Sequence, residues 1–544
     1  MAFDLLIRGG SVVDGSGSPP VLADVAVRGD QIEAVGLDGA LAGATAATVL
    51  DATGRDVTPG YIDIHTHSDR SILLNPRMES KIRQGVTTEI GGNCGSGVAP
   101  ALGEAVANLR PEPGREHEPA SWPTMAAYLE HIERAGIAGN YATLAAHGTL
   151  RASTTGYAMR PASPDELAAM QRLLAESLEA GAFGLSTGLI YVPSGYADID
   201  ELVTLSQVVR RYGGIYASHI RNEASGLLAA VHEAIEIGRQ AGLPVQVAHH
   251  KASGRPNWGR VQESLALMDS ARGGGVDVTC DQYPYTASST GLSAVLPKWA
   301  LAGGRERLVA RLRDPATRRR IRREMSAARP DWGALEENRS EEGSDGGSGW
   351  HHILIARCRG NPNLEGRRLD EIAAERKQDG FEVCFDLLIQ EDGYVGCVFF
   401  SMCEPDVRTV MRWPGTMIGS DASSIAPYGT LGEGKPHPRA YGTFARVLGH
   451  YVRQEGVLTW GEAVRKMTSL PAARLGLRGR GQIQAGSYAD LVVLDPATVA
   501  DQATFAAPHQ FATGVEHVFV NGVQVVQAGQ HTGALPGRVL RRGA

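Results

Sequence analysis

The chain has 544 residues, 43% of them hydrophobic and 21% charged, with a formal charge of −7. This is the profile of a soluble globular protein of one large catalytic domain with a satellite, or of two to three ordinary domains. The acidic balance without a basic stripe argues against nucleic acid, no apolar run approaches the roughly 18 residues of a membrane span, and six cysteines without a CxxC pair suggest a reducing cytoplasm rather than a disulfide framework.

The N-terminus, MAFDLLIRGGSVVDGSG, breaks into glycine and acid before an apolar signal core can form. Residues 3–50 alternate short β-type runs with turns, as in FDLLIRGG, ADVAVRGD and QIEAVG. The same style returns after residue 480 in ADLVVLD, VEHVFVNG and VQVVQAG. Neither end is long enough to bury a generous core alone. Together they predict one composite β-sandwich domain, residues 1–58 plus 479–544.

Between them, residues 59–478 alternate apolar strands with helices such as PDELAAMQRLLAESLEAG and GLLAAVHEAIEIGRQAG. The predicted strands are YIDIH (61–65), VTTEI (86–90), YATLAAH (141–147), AFGLST (182–187), GIYASH (214–219), PVQVAHH (244–250), VDVTC (276–280) and TMIGSD (416–421). Eight βα units make this an α/β chain built on a (β/α)₈ TIM-type barrel. The stretch between strands seven and eight is too long for a connection. It predicts an inserted subdomain, residues 288–350, in which the polar EENRSEEGSDGGSG is a mobile loop and candidate lid. The basic run RERLVARLRDPATRRRIRRE falls here and, being interleaved with apolar residues and acids, reads as a solvated helical face.

In such a barrel the chemistry sits where strands end and βα loops begin. Strand one ends in His65 and His67, strand two in Cys94, strand five in His219, strand six in His249 with His250 and Lys251, and strand eight in Asp421. Side chains two apart on a strand point the same way, so both imidazoles of HTH can face one ion. Imidazole and thiolate suit zinc, and a catalytic site keeps one position open for water. An aspartate beside that water can take its proton and deliver it to a leaving group. A metal hydrolase is the favoured reading.

GYIDIHTHSD, lone strand-end histidines and a late GSDAS resemble the amidohydrolase superfamily, as does the C-terminal GQIQAGSYADLVVLD. Within it, GGNCGSG, SHIRNE, AHHKASG, DQYPYTASST and KPHPRAYGTFARVLG are similar to the D-aminoacylases, the N-acyl-D-amino-acid deacylases. Many superfamily members bridge two metals with a carboxylated lysine, or a glutamate, at the end of strand four. Here that end reads STGLIYVPSG and offers neither. The resemblance implies instead that Cys94 holds one zinc tightly with His219 and His249. His65 and His67 then belong to a second, weaker metal position bridged by the same thiolate.

His249 is chosen over His250 because Val245, Val247 and His249 share one strand face, on which Lys251 also falls. The resemblance assigns Lys251 and Tyr283, with Ser289 as a third candidate, to the substrate's α-carboxylate, and Asp421 to general base and acid. His250 reads as structural, and His147 as either a core residue or a pocket residue. Relatives that favour D-glutamate carry an arginine after the tyrosine. TASSTGLSAVLP has no basic residue before Lys298, which implies hydrophobic D-residues, unless Leu292, Val295 and Leu296 are merely core of the insert. The implied activity is zinc-dependent hydrolysis of small-molecule N-acyl-D-amino acids. The alternatives are cyclic-amide opening, N-acyl-D-glutamate or -aspartate deacylation, and a scaffold that has lost its metal.

Overall fold

A computed structural model describes residues 2–37, 39–107, 109, 120–327 and 349–543. Of the expected lid, EENRSEEGSDGGSG, all but the last glycine lies outside these residues.

The two termini share a nine-stranded sheet. Asp56–Pro59, at the end of the N-terminal strands, lies antiparallel to Leu491–Leu494, with Val57 opposite Val493 and Pro59 opposite Leu491. Alternate residues of both ends, including Leu5, Ile7, Val25, Val57, Leu491 and Val493, fill one apolar cluster. Each end thus covers apolar surface the other would expose to water.

The middle of the chain forms two parallel sheets. One carries Tyr61–Asp63, Val86–Gly91 and Asn140–Thr143. The other runs in chain order through Ala145–Ala146, Gly184–Gly188, Ile215–His219, Val245–Val247, Val278–Gln282 and Thr416–Ile418. The predicted third strand is broken at Leu144, and its two halves join the two sheets. The other seam is closed by a parallel bridge between Thr66 and Ala422, with the Asp421 amide donating to the His65 carbonyl at 2.8 Å. Eight strands therefore close into a ring, with helices outside. Leu227–Ala241 shows why: Leu227, Ala230, Val231, Ala234, Ile237, Gly238 and Ala241 repeat at helical spacing and are buried.

Between the last two barrel strands, Ser288–Gly291, Gly396–Phe399 and Ile353–Arg357 make a three-stranded sheet over its own apolar core. This packed unit runs past residue 350, the boundary expected from the sequence, because its central strand is Gly396–Phe399. No helix among the described residues is long and apolar enough to cross a membrane.

Candidate metal centre

The strand-end residues converge. His65 Nε2 stands 3.2 Å from Cys94 Sγ, which is 3.4 Å from His249 Nε2. His67 Nε2 lies 2.9 Å from Asp421 Oδ1. The ring of His219 meets that of His249 edge-on, centroids 4.3 Å apart. Two donor sets result, each with its atoms within 4.8 Å of one another: Cys94, His219 and His249, and His65, His67, Cys94 and Asp421. Cys94 belongs to both.

His219 is buried with neither ring nitrogen at full hydrogen-bonding geometry, the Glu223 carboxylate standing 3.9 Å from Nε2. Leaving buried polar atoms unpartnered is costly unless something else engages them. A nitrogen–sulfur donor set around such an imidazole fits zinc.

The local backbone is bent to produce this. Cys94, His249 and Asp421 have φ of 52°, 34° and 50°, in the left-handed region that side chains avoid. Strand six stops at Val247, so His249 does not reach the site along the strand face inferred from Val245 and Val247. A turn aims it instead. The glycines of GGNCGSG let the thiol loop press against the end of strand four. Gly95 N donates to Ser186 Oγ at 3.0 Å, and a Cβ on Gly188 would collide with the Cys94 carbonyl. The strand end that could have offered a lysine is occupied by this loop.

Electrostatics tie the set together. Burial raises the Cys94 pKa, but the charges of His65 and His249 outweigh it and hold the thiol well below its ordinary value. Burial likewise opposes charge on His65, His67 and His249. Asp281 with Cys94 raises His65 strongly, Asp421 with Cys94 brings His67 to about 9, and Cys94 with Glu223 brings His249 to about 9. Asp421 would be raised by burial, yet Arg439 and the histidines keep it well below the usual carboxylate range. The field of a thiolate and carboxylates at this point favours positive charge.

Three residues essential to that field are not visible as site residues in the sequence. Asp281 accepts from His65 Nδ1 at 3.0 Å and from the His249 amide at 2.8 Å. Strand seven runs to Gln282, past its expected end at Cys280, so Asp281 belongs to the barrel wall. Glu223 lies 3.0 Å from His249 Nδ1 and 2.6 Å from Lys251 Nζ. Arg439 Nη1 lies 2.8 Å from Asp421 Oδ2. All three fall within the stretches SHIRNE, DQYPYTASST and KPHPRAYGTFARVLG, so motif membership was the available signal.

A cleft of about 390 Å³ opens over the centre, lined by His67, Cys94, His249, Ser289 and Asp421 among others. Of the expected carboxylate holders only Ser289 lines it, its Oγ donating to the Cys397 carbonyl at 3.0 Å. Lys251 and Tyr283 line an enclosed pocket on the other side of His249. Lys251 Nζ and the Arg439 guanidinium lie 5.6 and 4.5 Å from the centre of the Tyr283 ring. His147 is a core residue, bonded to Ser194 Oγ at 2.8 Å and Glu201 at 2.9 Å. His250 points away to Ser264 Oγ at 2.8 Å, and burial lowers its pKa to about 3. Leu292, Val295 and Leu296 are core of the insert.

Residues 48–526 match the amidohydrolase family. The chain is 40% identical to a D-aminoacylase of Alcaligenes xylosoxydans xylosoxydans, over all of this chain and 98% of that protein. The chain belongs to the D-aminoacylase family of amidohydrolases. A solved D-aminoacylase with a binuclear metal centre superposes with a TM-score of 0.82 at 38% identity, covering 99% of this chain and all of that one. An N-acyl-D-glutamate deacylase from Bordetella bronchiseptica, complexed with zinc and a phosphonate mimic of the tetrahedral intermediate, gives the same score at 34% identity and the same coverage. This D-aminoacylase-family barrel is thus similar over nearly its whole length to metal-dependent deacylases.

Proposed function

We propose that the protein hydrolyses the amide bond of N-acyl-D-amino acids, releasing a carboxylate and a free D-amino acid. The observation that carries this is the shared thiolate: Cys94 completes two overlapping donor sets, with His219 in one and Asp421 in the other. Cys94, His219 and His249 would hold the tightly bound zinc, and His65 and His67 a second, weaker position. The solved relatives, one with zinc and one with a binuclear centre, support that assignment. Zinc, when bound, supplies Lewis acidity to the substrate carbonyl and activates water.

Asp421 faces the same cleft, with His67 on Oδ1 and Arg439 on Oδ2. It takes the proton of the attacking water as the C–O bond forms at the carbonyl carbon, then passes that proton to the amine nitrogen, and only then does the C–N bond break to release the amine and a carboxylate. Arg439 keeps Asp421 ionised before attack. Asp281 and Glu223 orient His65 and His249 through their second ring nitrogens, as carboxylates do beside metal-ligating histidines. Lys251 and Arg439, each within 6 Å of the Tyr283 ring, supply positive charge suited to the substrate's α-carboxylate, and Ser289 is the candidate holder that lines the cleft itself. Lys251 must share itself between Glu223 and that carboxylate.

D-configuration is supported by the relatives' activities. Leu292, Val295 and Leu296 are core of the insert and give no apolar wall to the substrate, so a preference for hydrophobic D-residues rests on the uncharged Ser289 and Thr290 in the cleft. Six unpaired cysteines, five of them buried, fit a cytoplasmic location.

The test is a panel of paired N-acetyl-D- and N-acetyl-L-amino acids with zinc-loaded protein, including leucine, phenylalanine and glutamate. D-leucine and D-phenylalanine derivatives should turn over fastest, and a preference for L-substrates would overturn the reading. Asp421→Asn should keep its zinc and lose about 10²- to 10⁴-fold in kcat.

A further inference from the structure

Asp421 stands just past strand eight with φ of 50°, a backbone setting that residues other than glycine rarely adopt. The residues on either side of it show what holds it there. Ser420 gives its amide to Asp63 Oδ1 at 2.8 Å, and its hydroxyl accepts from Lys81 Nζ. The Ala422 carbonyl accepts from the same Nζ at 3.0 Å, while the Ala422 amide donates to Ser420 Oγ at 3.2 Å. The remaining Nζ contact is to Asp63 Oδ2 at 2.7 Å. An ammonium has three donors, and three acceptors meet it here.

The side chains of Lys81 and Asp63 are fully buried. Taking two charges out of water costs so much that a well-packed apolar pair of similar volume is often as stable or more so. Stability alone is therefore a poor reason for a lysine at this place. What an apolar side chain could not do is gather acceptors from two strands. Asp63 ends strand one, two residues before His65, and Lys81 lies in the short turn Glu79–Ile82. Ser420 and Ala422 follow strand eight, so the pair spans the seam of the ring beside the bridge from Thr66 to Ala422. We infer that Lys81 and Asp63 are positioning residues for Asp421, fixing its backbone on both sides so that its carboxylate meets His67 and Arg439 at the cleft. Neither of them lines the cleft, so they act through Asp421 alone. This rests on the deacylase reading above and adds to it the means by which the proton carrier is held. Without the clamp, the tip is free to relax toward an ordinary backbone setting and carry the carboxylate away from His67.

Two variants test this. Ser420→Ala removes one Lys81 contact and leaves the ion pair in place. Lys81→Met combined with Asp63→Asn removes both charges together, so that neither is left buried alone. The kcat and KM for N-acetyl-D-leucine and the zinc Kd are measured well below each variant's own Tm, beside the parent, Asp421→Asn, and Ser420→Ala combined with Asp421→Asn. We expect kcat to fall about tenfold in Ser420→Ala and about a hundredfold in the uncharged pair, with KM and zinc Kd within about twofold of the parent. Adding Ser420→Ala to Asp421→Asn should cost nothing further, a pattern that general damage to the fold would not reproduce. A crystal structure of the uncharged pair should show Asp421 out of its left-handed setting and away from His67. An unchanged kcat in Ser420→Ala overturns the clamp and spares the deacylase reading. So does a rise in zinc Kd that matches the fall in kcat, or a further loss on top of Asp421→Asn. Should the uncharged pair fail to fold, Ser420→Ala decides alone. A parent that turns over no N-acyl-D-amino acid overturns both.

Discussion

Cys94 has to be ionised, buried and aimed at three imidazoles at once, and each demand has a visible cause. The ring nitrogens of His65 and His249 stand 3.2 and 3.4 Å from the sulfur, and their charges overcome the cost of burying it as thiolate. Cys94→Ala removes the one donor common to both sets, so metal analysis of dialysed protein should find the tightly held zinc lost. Retention of that zinc would mean His219 and His249 suffice without the thiolate. Glu89 is a second residue whose environment makes a measurable demand. Its carboxylate is fully buried, accepts from Ser68, and has one oxygen without a hydrogen bond. Burial, only partly offset by Lys81, pushes its pKa from 4.5 to about 7. The folded state therefore binds the proton more tightly than the unfolded chain. That contribution is fully present below pH 4.5 and is lost as pH rises through about 7. The loss is about 3 kcal/mol at most. Glu89→Gln should flatten the fall in unfolding midpoint with pH across this window, and a variant that tracks the parent would refute it.

Among the elements, strand four is the instructive one. It carries no metal donor, and Gly184–Gly188 shows why: its end is the bed on which the Cys94 loop lies. Ser186 takes the Gly95 amide, and Gly188 leaves room for the Cys94 carbonyl. Backbone on backbone cannot swing aside as a flexible side chain would. Gly188→Ala should therefore displace the thiol loop and weaken zinc binding, read as a higher zinc Kd in a chelator competition. An unchanged Kd would show that the loop can relax without moving Cys94.

On the scale of the whole molecule, the C-terminal segment ties itself to the start of the third barrel strand. After the last β-strand, Arg538 and Leu540 bracket the third barrel strand, with Tyr141 donating to the Arg538 carbonyl at 2.9 Å and Leu540 donating to the Tyr141 carbonyl at 2.7 Å. The Arg542 guanidinium then donates to the Tyr212 and Leu475 carbonyls at 3.1 and 3.0 Å. This strap crosses the start of the strand that is broken at Leu144, one of the two seams of the ring. Truncation after Thr532 should lower Tm by a few degrees in calorimetry, and an unaltered Tm would mark the strap as passive. Binding of zinc should raise Tm in both proteins, because a ligand of the native state stabilises it by mass action.

Much of this was legible in the sequence, because local rules govern it. Strand and helix periodicity located the barrel units, and the rule that barrel chemistry sits at strand ends picked out His65, His67, His219 and Asp421. His249 was chosen on strand alternation, whereas a left-handed turn delivers it. The absence of a lysine on strand four was plain in STGLIYVPSG, but its cause, the Cys94 loop filling that place, is a contact across the barrel. Asp281, Glu223 and Arg439 could not be singled out, since sequence does not say which of 60 acidic and 53 basic residues come within 3 Å of a given ring or carboxylate. By itself the sequence placed a set of candidate side chains at or just past the ends of the barrel strands. Only the closed ring decided which of them meet, because those distances are set by packing between residues hundreds of positions apart.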